Sequence, residues 1–306
     1  MFFREFARIA FASALHRLTT VKYGHRIANS PFGSFVCGKG PMIAKLRCGA
    51  QALVFGNQYD GPPMYLWGDA NPRITDVVTT VLRKGDTALD IGANFGVVGL
   101  VMAQIVGPTG KVHLFEPQPN VAQYLKTSLL MNSFSQATVH ECALSDRTGT
   151  ARMTVVDPCN LGQTTLEIDK GYGGPNAAQI EVGIEEARHY VSALGLAKTA
   201  LIKIDVEEHE DVILRSLTEW LGAARPPVIL FECRHEGKVF QQFESVEILK
   251  GLGYELMGYD LKPAWKTRLV PVGNNESPAG YDFVAVLWGE LDEDRRAKLK
   301  AMTGRP

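Results

Sequence analysis

The chain has 306 residues, of which 45% are hydrophobic and 21% are charged, a composition typical of a folded globular protein. Its 32 Lys and Arg nearly cancel its 33 Asp and Glu, and no run of basic residues is present, which argues against a protein that coats nucleic acid. The five cysteines are an odd number without zinc or redox spacing. We therefore expect reduced thiols in a cytoplasmic protein.

The N-terminal segment, residues 2–18, places apolar side chains at helical spacing and predicts an amphipathic helix. Its longest uncharged apolar run, residues 9–15, is far shorter than the roughly 20 residues that span a bilayer, and no signal peptide is indicated. We expect this helix to dock on the protein's own body, with peripheral membrane contact as the alternative. Residues 20–85 alternate turn signals with short apolar stretches, which predicts a cap of small strands and loops.

From residue 85 onward, predicted strands and helices alternate. The strands are predicted at residues 87–92, 111–116, 137–144, 200–206, 228–232, 254–259 and 281–288. The helices are predicted at residues 95–106, 119–132, 209–221 and 243–252. This alternation predicts a doubly wound α/β fold, with a mostly parallel, seven-stranded, Rossmann-like sheet covered by helices on both faces. The last two strands have no helical pattern between them, so we expect an antiparallel C-terminal hairpin at the sheet edge.

The same pattern divides the chain into three parts. We expect an N-terminal helix and cap segment at residues 1–84, the sheet domain at residues 85–290 and a charged, partly frayed tail at residues 291–306.

Polar residues follow the first two predicted strands. The first strand ends in Asp90 and leads into a turn with Gly92, Asn94 and Gly96. Ligands of open parallel sheets bind beyond the carboxyl ends of the strands, where glycines admit a ligand to the backbone and the next helix offers free N–H groups. The second strand ends at Glu116, whose carboxylate can accept hydrogen bonds from both hydroxyls of a ribose. Together these residues predict a pocket for an adenosine-type ligand.

The turn departs from the dinucleotide fingerprint, because Asn94 replaces its middle glycine and Asp90 lies just ahead. A diphosphate would be crowded and repelled there. A ligand with an ammonium group and a carboxylate fits better, since Asp90 can counter the ammonium while turn N–H groups face the carboxylate. S-adenosyl-L-methionine carries both groups.

The third strand leads into Ala143, Leu144 and Asp146. Its apolar residues can sandwich an adenine, and Asp146 can accept from the adenine amino group. A turn-forming role explains Asp146 equally well.

The fourth strand carries the densest set of ionisable residues. Lys203, Asp205 and Glu207 project to one face by strand alternation, and such groups in an apolar strand are costly unless they are used. His209 lies among acids near the same strand end, which predicts a proton-accepting role. The alternative for the neighbouring glutamates is that they favour the start of a helix.

The fifth strand ends at Glu232, which we expect beside Asp205 across neighbouring strand ends. Two such carboxylates can hold a divalent cation or orient a substrate hydroxyl, and a purely structural acid is the alternative. His113 and His140 lie inside apolar strands and are predicted as hydrogen-bonded core residues.

Taken together, these motifs resemble the FkbM family of S-adenosylmethionine-dependent methyltransferases. The resemblance covers residues 85–235, and its motifs are residues 90–96, residues 115–119 with Asn132, residues 143–149 and residues 202–210. It implies methylation of a hydroxyl, on a sugar of a glycoconjugate or on a polyketide-type natural product. The expected cofactor-binding residues are Asp90, Gly92, Ala93, Asn94, Gly96, Glu116, Pro117, Leu144 and Asp146. The expected catalytic residues are Lys203, Asp205, Glu207 and His209.

One residue departs from the family pattern. Where the family usually has Val-Glu-Gly-His-Glu, this chain has Glu208 in the glycine position. If that turn needs a positive φ angle, Glu208 is strained, and the placement of His209 depends on it.

The hypothesis from sequence is an O-methyltransferase that aligns the hydroxyl with the sulfonium methyl, with His209, or Asp205 in its place, as the base. Residues 20–85 and the loop at residues 160–179 are expected to cover the acceptor. A nicotinamide-dependent oxidoreductase is one alternative, although the middle glycine is missing. A non-catalytic adenosine-ligand binder is another, although it would not need the acids of the fourth strand. Nucleic-acid methylation is disfavoured by the neutral charge.

Overall fold

The computed structural model describes residues 26–157, 160–165, 178–196, 198–234, 240–260, 266–273 and 280–304. The helix predicted at residues 2–18 and most of the loop predicted at residues 160–179 lie outside these ranges. Within the described residues, no helix is both long and apolar enough to span a bilayer.

The N-terminal segment folds into short helices around one hairpin. Its elements are α1 (Pro31–Cys37), β1 (Pro41–Lys45), β2 (Gln51–Phe55), α2 (Gly61–Trp67) and α3 (Pro72–Val81). The sequence predicted strands and loops here, whereas helices predominate. Each of these helices has a proline in its first turn, where the missing N–H costs nothing. Pro31, Pro62 and Pro72 therefore lie in the first turns of helices, whereas Pro41 begins β1.

The remaining elements follow in the predicted alternation, with additions. The next are β3 (Thr87–Ile91), α4 (Gly99–Val106), β4 (Lys111–Phe115), α5 (Pro119–Met131), β5 (Ala137–His140), β6 (Ala143–Ser145), β7 (Gly149–Asp157), β8 (Asn160–Thr165) and β9 (Ala178–Glu186). The last are α6 (Ala187–Ala193), β10 (Thr199–Ile204), α7 (Glu210–Ala224), β11 (Val228–Glu232), α8 (Glu244–Gly251), β12 (Glu255–Tyr259), β13 (Leu269–Pro271), β14 (Asp282–Val286) and α9 (Glu293–Thr303).

The central sheet has the strand order β13-β12-β14-β11-β10-β3-β4-β5. The five strands from β11 to β5 in this order are parallel to one another, which confirms the doubly wound α/β prediction. Along the chain, β4 and β5 are placed on one side of β3, and β10 is then placed on the other side of β3. The carboxyl ends of β3 and β10 thus form a topological switch point, where ligands of this fold class bind.

The antiparallel end of the sheet differs in detail from the prediction. β14 pairs antiparallel with both β11 and β12, so it lies inside the sheet rather than at its edge. β13 pairs with β12 as an additional, eighth strand. At three residues, β13 is too short to show strand periodicity in the sequence.

A second sheet with the order β6-β9-β7-β8 was not predicted. It divides the predicted strand at residues 137–144 into β5 and β6, which belong to different sheets. β6 pairs parallel with β9, and β9 pairs antiparallel with β7. This sheet brings Leu144 and Met153 to the edge of the central sheet, where both line a cleft described below.

The segment predicted as a charged tail forms α9. Asp292 caps this helix by accepting a hydrogen bond from Arg295 N at 2.8 Å, and Leu299 is fully buried. Arg295 pairs with Asp86 at 2.6 Å. Because the segment is highly charged, its few apolar positions give no clear helical pattern in the sequence. Those buried side chains pack the helix against the body of the protein.

The core has two apolar layers, one on each face of the central sheet. One layer contains side chains of α3, α4, α5 and α9, and the other contains side chains of α6, α7 and α8. All six residues of β10 are buried, as expected for a parallel strand covered on both faces. Any charge inside such a strand needs a partner.

Candidate active site

Two clefts open at the carboxyl ends of the parallel strands. The β4 cleft has a volume of about 50 Å³ and is lined by residues that follow β3 and β4, by β6 and by the end of β10. The β11 cleft has a volume of about 580 Å³ and is lined by residues 59–60 and 70–71, by the ends of β10 and β11 and by the start of β14. Both clefts are lined by Gly92, Asn94, Asp205 and Glu207. A ligand in one cleft can therefore contact a ligand in the other.

The turn after β3 forms the floor between the clefts. Gly92, Asn94 and Gly96 have φ angles of 81°, 49° and 83°. A Cβ atom on Gly92 would lie 1.9 Å from the carbonyl oxygen of Asp205, so only glycine fits there. Asn94 Oδ1 is buried and has no hydrogen-bond partner among the described residues. Because Asn94 lines both clefts, this oxygen can accept a hydrogen bond from a bound ligand.

Glu116 lies buried at the end of β4 and lines the β4 cleft. Its Oε2 accepts from Asn94 N at 2.9 Å, and its Oε1 accepts from Gln118 N at 2.8 Å. Burial raises the pKa of Glu116 to about 7, against the opposing effect of these hydrogen bonds. A carboxylate has about four acceptor positions, so it retains capacity for the two hydroxyls of a ribose.

The lining of the β4 cleft is otherwise largely apolar. Its apolar residues are Ile91, Phe115, Pro117, Cys142, Ala143, Leu144, Met153 and Val206. Such a wall suits a flat base. Phe115 stacks on His140 with ring centroids 4.6 Å apart, and His140 contacts His113 at 3.0 Å and the Tyr190 hydroxyl at 3.1 Å. These histidines are hydrogen-bonded as predicted, but both are half-buried and neither is a core residue.

Asp146 is placed differently from the prediction. Its side chain is half exposed, pairs with Arg147 at 3.4 Å and does not contribute to the β4 cleft wall. The adjacent Leu144 does line the cleft. This exposed position outside the cleft wall favours the turn-forming alternative for Asp146.

Asp90 lies beneath the clefts and lines neither of them. It is fully buried, and its Oδ1 lies 3.1 Å from Lys203 Nζ. Lys203 Nζ also lies 3.4 Å from Asp205 Oδ2 and donates to the Gly92 carbonyl at 3.1 Å. The partner of Asp90 is therefore Lys203, and not a ligand ammonium as predicted. Gly96 likewise lies outside both cleft walls and shapes the turn.

Burial and neighbouring charges shift the pKa values of both members of the buried pair. Burial raises the pKa of Asp90, while Lys203 acts in the opposite direction. For Lys203, burial alone would lower the pKa, but Asp205 and Asp90 outweigh it and hold the pKa above its usual value. Lys203 is thus a permanent cation that anchors Asp205 at the junction of the two clefts.

The turn between β10 and α7 is strained at two glutamates. Glu207 and Glu208 have φ angles of 56° and 76°, and a left-handed conformation costs an L-residue about 1–2 kcal/mol. The strain predicted for Glu208 is confirmed. Glu210 Oε1 accepts from Val206 N at 2.9 Å and Arg234 pairs with Glu207, so contacts on both sides hold the turn.

Replacing Glu208 by Gly should raise the free energy of unfolding by about 1 kcal/mol, because glycine adopts positive φ without steric cost. Denaturant titration of both proteins measures the change. Glu247→Gly in α8 is a matched control at an exposed helical glutamate, where glycine should destabilise by about 1 kcal/mol. Equal destabilisation by the two substitutions would contradict strain at Glu208.

The two predicted bases lie in different places. His209 Nε2 lies 3.0 Å from Ser145 Oγ, and His209 lines the β4 cleft but not the β11 cleft. Asp205 lines both clefts, and its side chain is 36% exposed. Only Asp205 of this pair can contact molecules in both clefts.

The end of β11 adds a second charged group. Arg234 contacts Glu207, and its Nε lies 3.2 Å from Glu232 Oε1. Burial, followed by the charges of Asp205 and Glu207, raises the pKa of Glu232 to about 9. The described residues contain no group of three or more His, Cys, Asp or Glu side chains that could hold a metal ion. The cation predicted at Asp205 and Glu232 would also have to compete with Arg234.

Several residues of the β11 cleft were not predicted as site residues, among them Arg234 and Asp282. Asp282 is the first residue of β14, and it pairs with Glu232 because β14 runs antiparallel. The start of an antiparallel strand lies at the carboxyl edge of its parallel neighbours, which is the signal that could have identified it. Tyr59, Asp60 and Asn71 also line this cleft, as expected if residues 20–85 cover the acceptor.

The doubly wound sheet, its antiparallel β14 and the carboxylate after β4 define a Rossmann-like domain of the S-adenosylmethionine-dependent methyltransferase class. Residues 90–261, more than half of the chain, match the family model of the methyltransferase FkbM domain. The chain belongs to this family, and S-adenosylmethionine is the methyl donor of the class.

Two curated relatives are similar over parts of the chain. The 31-O-demethyl-FK506 methyltransferase FkbM of Streptomyces tacrolimicus is 27% identical over 162 residues, which cover 45% of this chain and 62% of that protein. A protein-L-isoaspartate O-methyltransferase of Ignicoccus hospitalis is 36% identical over 58 residues, which cover 19% of this chain and 28% of that protein. The chain thus spans less than two thirds of either relative.

Solved structures resemble the chain more distantly. An S-adenosylmethionine-dependent O-methyltransferase from Thermotoga maritima is 17% identical with a TM-score of 0.37, covering 71% of this chain and 64% of that chain. Aeropyrum pernix fibrillarin, in complex with natively bound S-adenosyl-L-methionine, is 14% identical with a TM-score of 0.39, covering 81% of this chain and 94% of that chain.

Proposed function

We propose that the protein is an O-methyltransferase that moves the methyl group of S-adenosylmethionine to a hydroxyl of a sugar, a glycoconjugate or a natural product. The observation that carries this proposal is the junction of two clefts at Asp205. One cleft has a buried carboxylate and an apolar wall that suit a nucleoside, and the other cleft is larger and polar. Family membership supports the methyl donor. When bound, the cofactor supplies an electrophilic methyl group on a sulfonium.

The residues that fit the cofactor lie in the β4 cleft and the floor between the clefts. Glu116 would accept from the ribose hydroxyls, and Leu144 and Pro117 would contact the base. Gly92 and Asn94, with the neighbouring Ala93, would meet the methionine portion. The fit rests on the buried, unpartnered Oδ1 of Asn94 and on the paired carboxylate oxygens of Glu116.

Asp205 is the base in this proposal. Its carboxylate takes the proton of the acceptor hydroxyl, and Lys203 holds the Oδ2 atom in place from 3.4 Å. A base within reach of the reacting hydroxyl contributes typically 10²–10⁴-fold to the rate. Glu207 positions the turn through Arg234, and His209 supports the β4 cleft through Ser145.

Replacing Glu116 by Gln should weaken binding of S-adenosylhomocysteine about tenfold or more, because the amide replaces one acceptor oxygen by a donor. Isothermal calorimetry on the full chain measures the affinity. Glu141→Gln, at an exposed glutamate in an ion pair with Lys126, is the matched control and should leave the affinity unchanged.

A parallel titration with NADH separates the oxidoreductase alternative. Heat with NADH and none with S-adenosylmethionine or S-adenosylhomocysteine would refute the methyltransferase proposal. A non-catalytic binder would give heat with the nucleoside but no methyl transfer in an acceptor screen.

Two further expectations belong to this proposal. A cytoplasmic location is supported by the free thiols of Cys37, Cys48, Cys142 and Cys233, which suit a reducing compartment. The division into a cap segment (residues 1–84), a methyltransferase domain (85–290) and a C-terminal segment (291–306) also remains a proposal.

A further inference from the structure

We propose that the acceptor bound in the β11 cleft is a polyhydroxylated group that is neutral or positively charged. Acceptors that carry a carboxylate or a phosphate bind this cleft much more weakly. This inference rests on the proposed function, because it assigns the β11 cleft to the acceptor. It narrows the substrate class within that function.

Carboxyl groups outnumber cationic groups in the lining of the β11 cleft. The carboxylic residues are Asp60, Asp205, Glu207, Glu232 and Asp282, whereas the cationic residues are Lys203 and Arg234. A cleft lined by one sign of charge attracts ligands of the opposite sign and repels ligands of the same sign.

Both cations in the lining are already engaged. Lys203 Nζ lies between Asp90 Oδ1 and Asp205 Oδ2, at 3.1 Å and 3.4 Å. Arg234 bridges Glu207 and Glu232, the second at 3.2 Å. A bound anion would have to take a cation from two carboxylates and leave them unpaired, which is costly in a partly buried site.

The protonation of the lining points in the same direction. Burial raises the pKa of Asp282 to about 6, with Asp205 adding to the effect. Burial also raises the pKa of Glu207 to about 7, with Arg234 opposing it and Asp205 adding to it. These carboxyl groups hold protons more tightly because of burial and mutual repulsion. Because burial and mutual repulsion already disfavour the ionised carboxylates of this cleft, they also disfavour the binding of a further negative charge.

The hydrogen-bonding capacity of the lining suits hydroxyl groups. The carboxyl oxygens of the lining accept hydrogen bonds, and an ionised carboxylate only accepts them. Hydroxyl and ammonium groups supply the matching donors. Val97, Val98 and the half-exposed ring of Tyr59 add apolar surface, which matches the carbon faces of a sugar ring. At about 580 Å³, the cleft lies within the roughly 300–1,000 Å³ of most small-molecule pockets, so it has room for a sugar-sized group.

The test compares three hexose probes that are neutral, positively charged and negatively charged. D-glucose, D-glucosamine and D-glucuronate are each titrated to the full chain saturated with S-adenosylhomocysteine, and binding is followed by saturation-transfer NMR. We expect glucose and glucosamine to bind and glucuronate to bind at least about tenfold more weakly. The double variant Asp60→Asn/Asp282→Asn should raise glucuronate affinity toward that of glucose. Glu247→Gln/Glu293→Gln, which removes the same charge from exposed helical positions, should not.

The outcomes separate this inference from the proposed function. Glucuronate binding as tight as glucose binding would overturn it, and so would the absence of binding by all three probes at tens of millimolar while S-adenosylhomocysteine gives heat. If S-adenosylhomocysteine gives no heat either, the proposed function itself fails, and this inference fails with it.

Discussion

Replacing Lys203 by Met should lower the free energy of unfolding by about 3–5 kcal/mol, because it leaves a buried carboxylate without its cation. Asp90 is fully buried, and Lys203 Nζ is the cation 3.1 Å from its Oδ1. Met preserves most of the side-chain volume, so the loss reports charge rather than a cavity. Denaturant titration with a constant m-value measures it.

The pH dependence of this variant follows from the same carboxyl group. Without Lys203, Asp90 loses the cation that counteracts the effect of burial, so its folded-state pKa rises further above the unfolded value. Folding then favours the protonated form. The stability of Lys203→Met should therefore fall as the pH rises from about 5 to about 8, since deprotonation in the folded state becomes increasingly costly.

The control for Lys203→Met is the double variant Lys203→Met/Asp90→Asn, which removes both charges. It should recover most of the lost stability, giving a large favourable coupling energy in a double-mutant cycle. A single variant that loses less than about 1 kcal/mol, or a double variant with additive losses, would contradict the account of this pair.

Asp205→Asn should lower the turnover number by about 10²–10⁴-fold, because the amide cannot take the hydroxyl proton. Affinity for S-adenosylhomocysteine should change by no more than about threefold, since the neutral product places no demand on a negative charge. Single-turnover methyl transfer to an acceptor from the screen gives the rate, and calorimetry gives the affinity.

His209→Gln is the comparison variant for Asp205→Asn. His209 lines only the β4 cleft, so its substitution should weaken cofactor binding and leave the turnover number within about tenfold of the wild type. The reverse result, with near-normal turnover in Asp205→Asn and a collapse in His209→Gln, would transfer the role of the base to His209.

The location of the site was predictable because strand ends can be recognised in the sequence. Asp90, Glu116, Asp205 and Glu232 each end or directly follow a predicted strand, and parallel strands bring such ends to one edge. The roles within that edge were less predictable. Asp90 and Lys203 are paired in the register of β3 with β10. The register between two distant strands cannot be predicted from the sequence of either strand alone.

The parts of the fold that were missed share a physical cause. α9 is held by few buried side chains within a charged segment, and β13 has three residues. Tertiary contacts stabilise these elements more than local propensity does, so their sequence patterns are weak.

The alignment of Asp90 with Lys203 also bears on how the sheet assembles. Successive side chains of a strand point to opposite faces, so a slip of β10 by one residue against β3 would turn Lys203 away from Asp90. Both charges would then lie unpaired in apolar surroundings, which disfavours this misaligned sheet more than an apolar pair at the same positions would. The pair thus acts as a checkpoint for correct strand alignment, and proteins lacking it should populate wrongly assembled sheets during refolding.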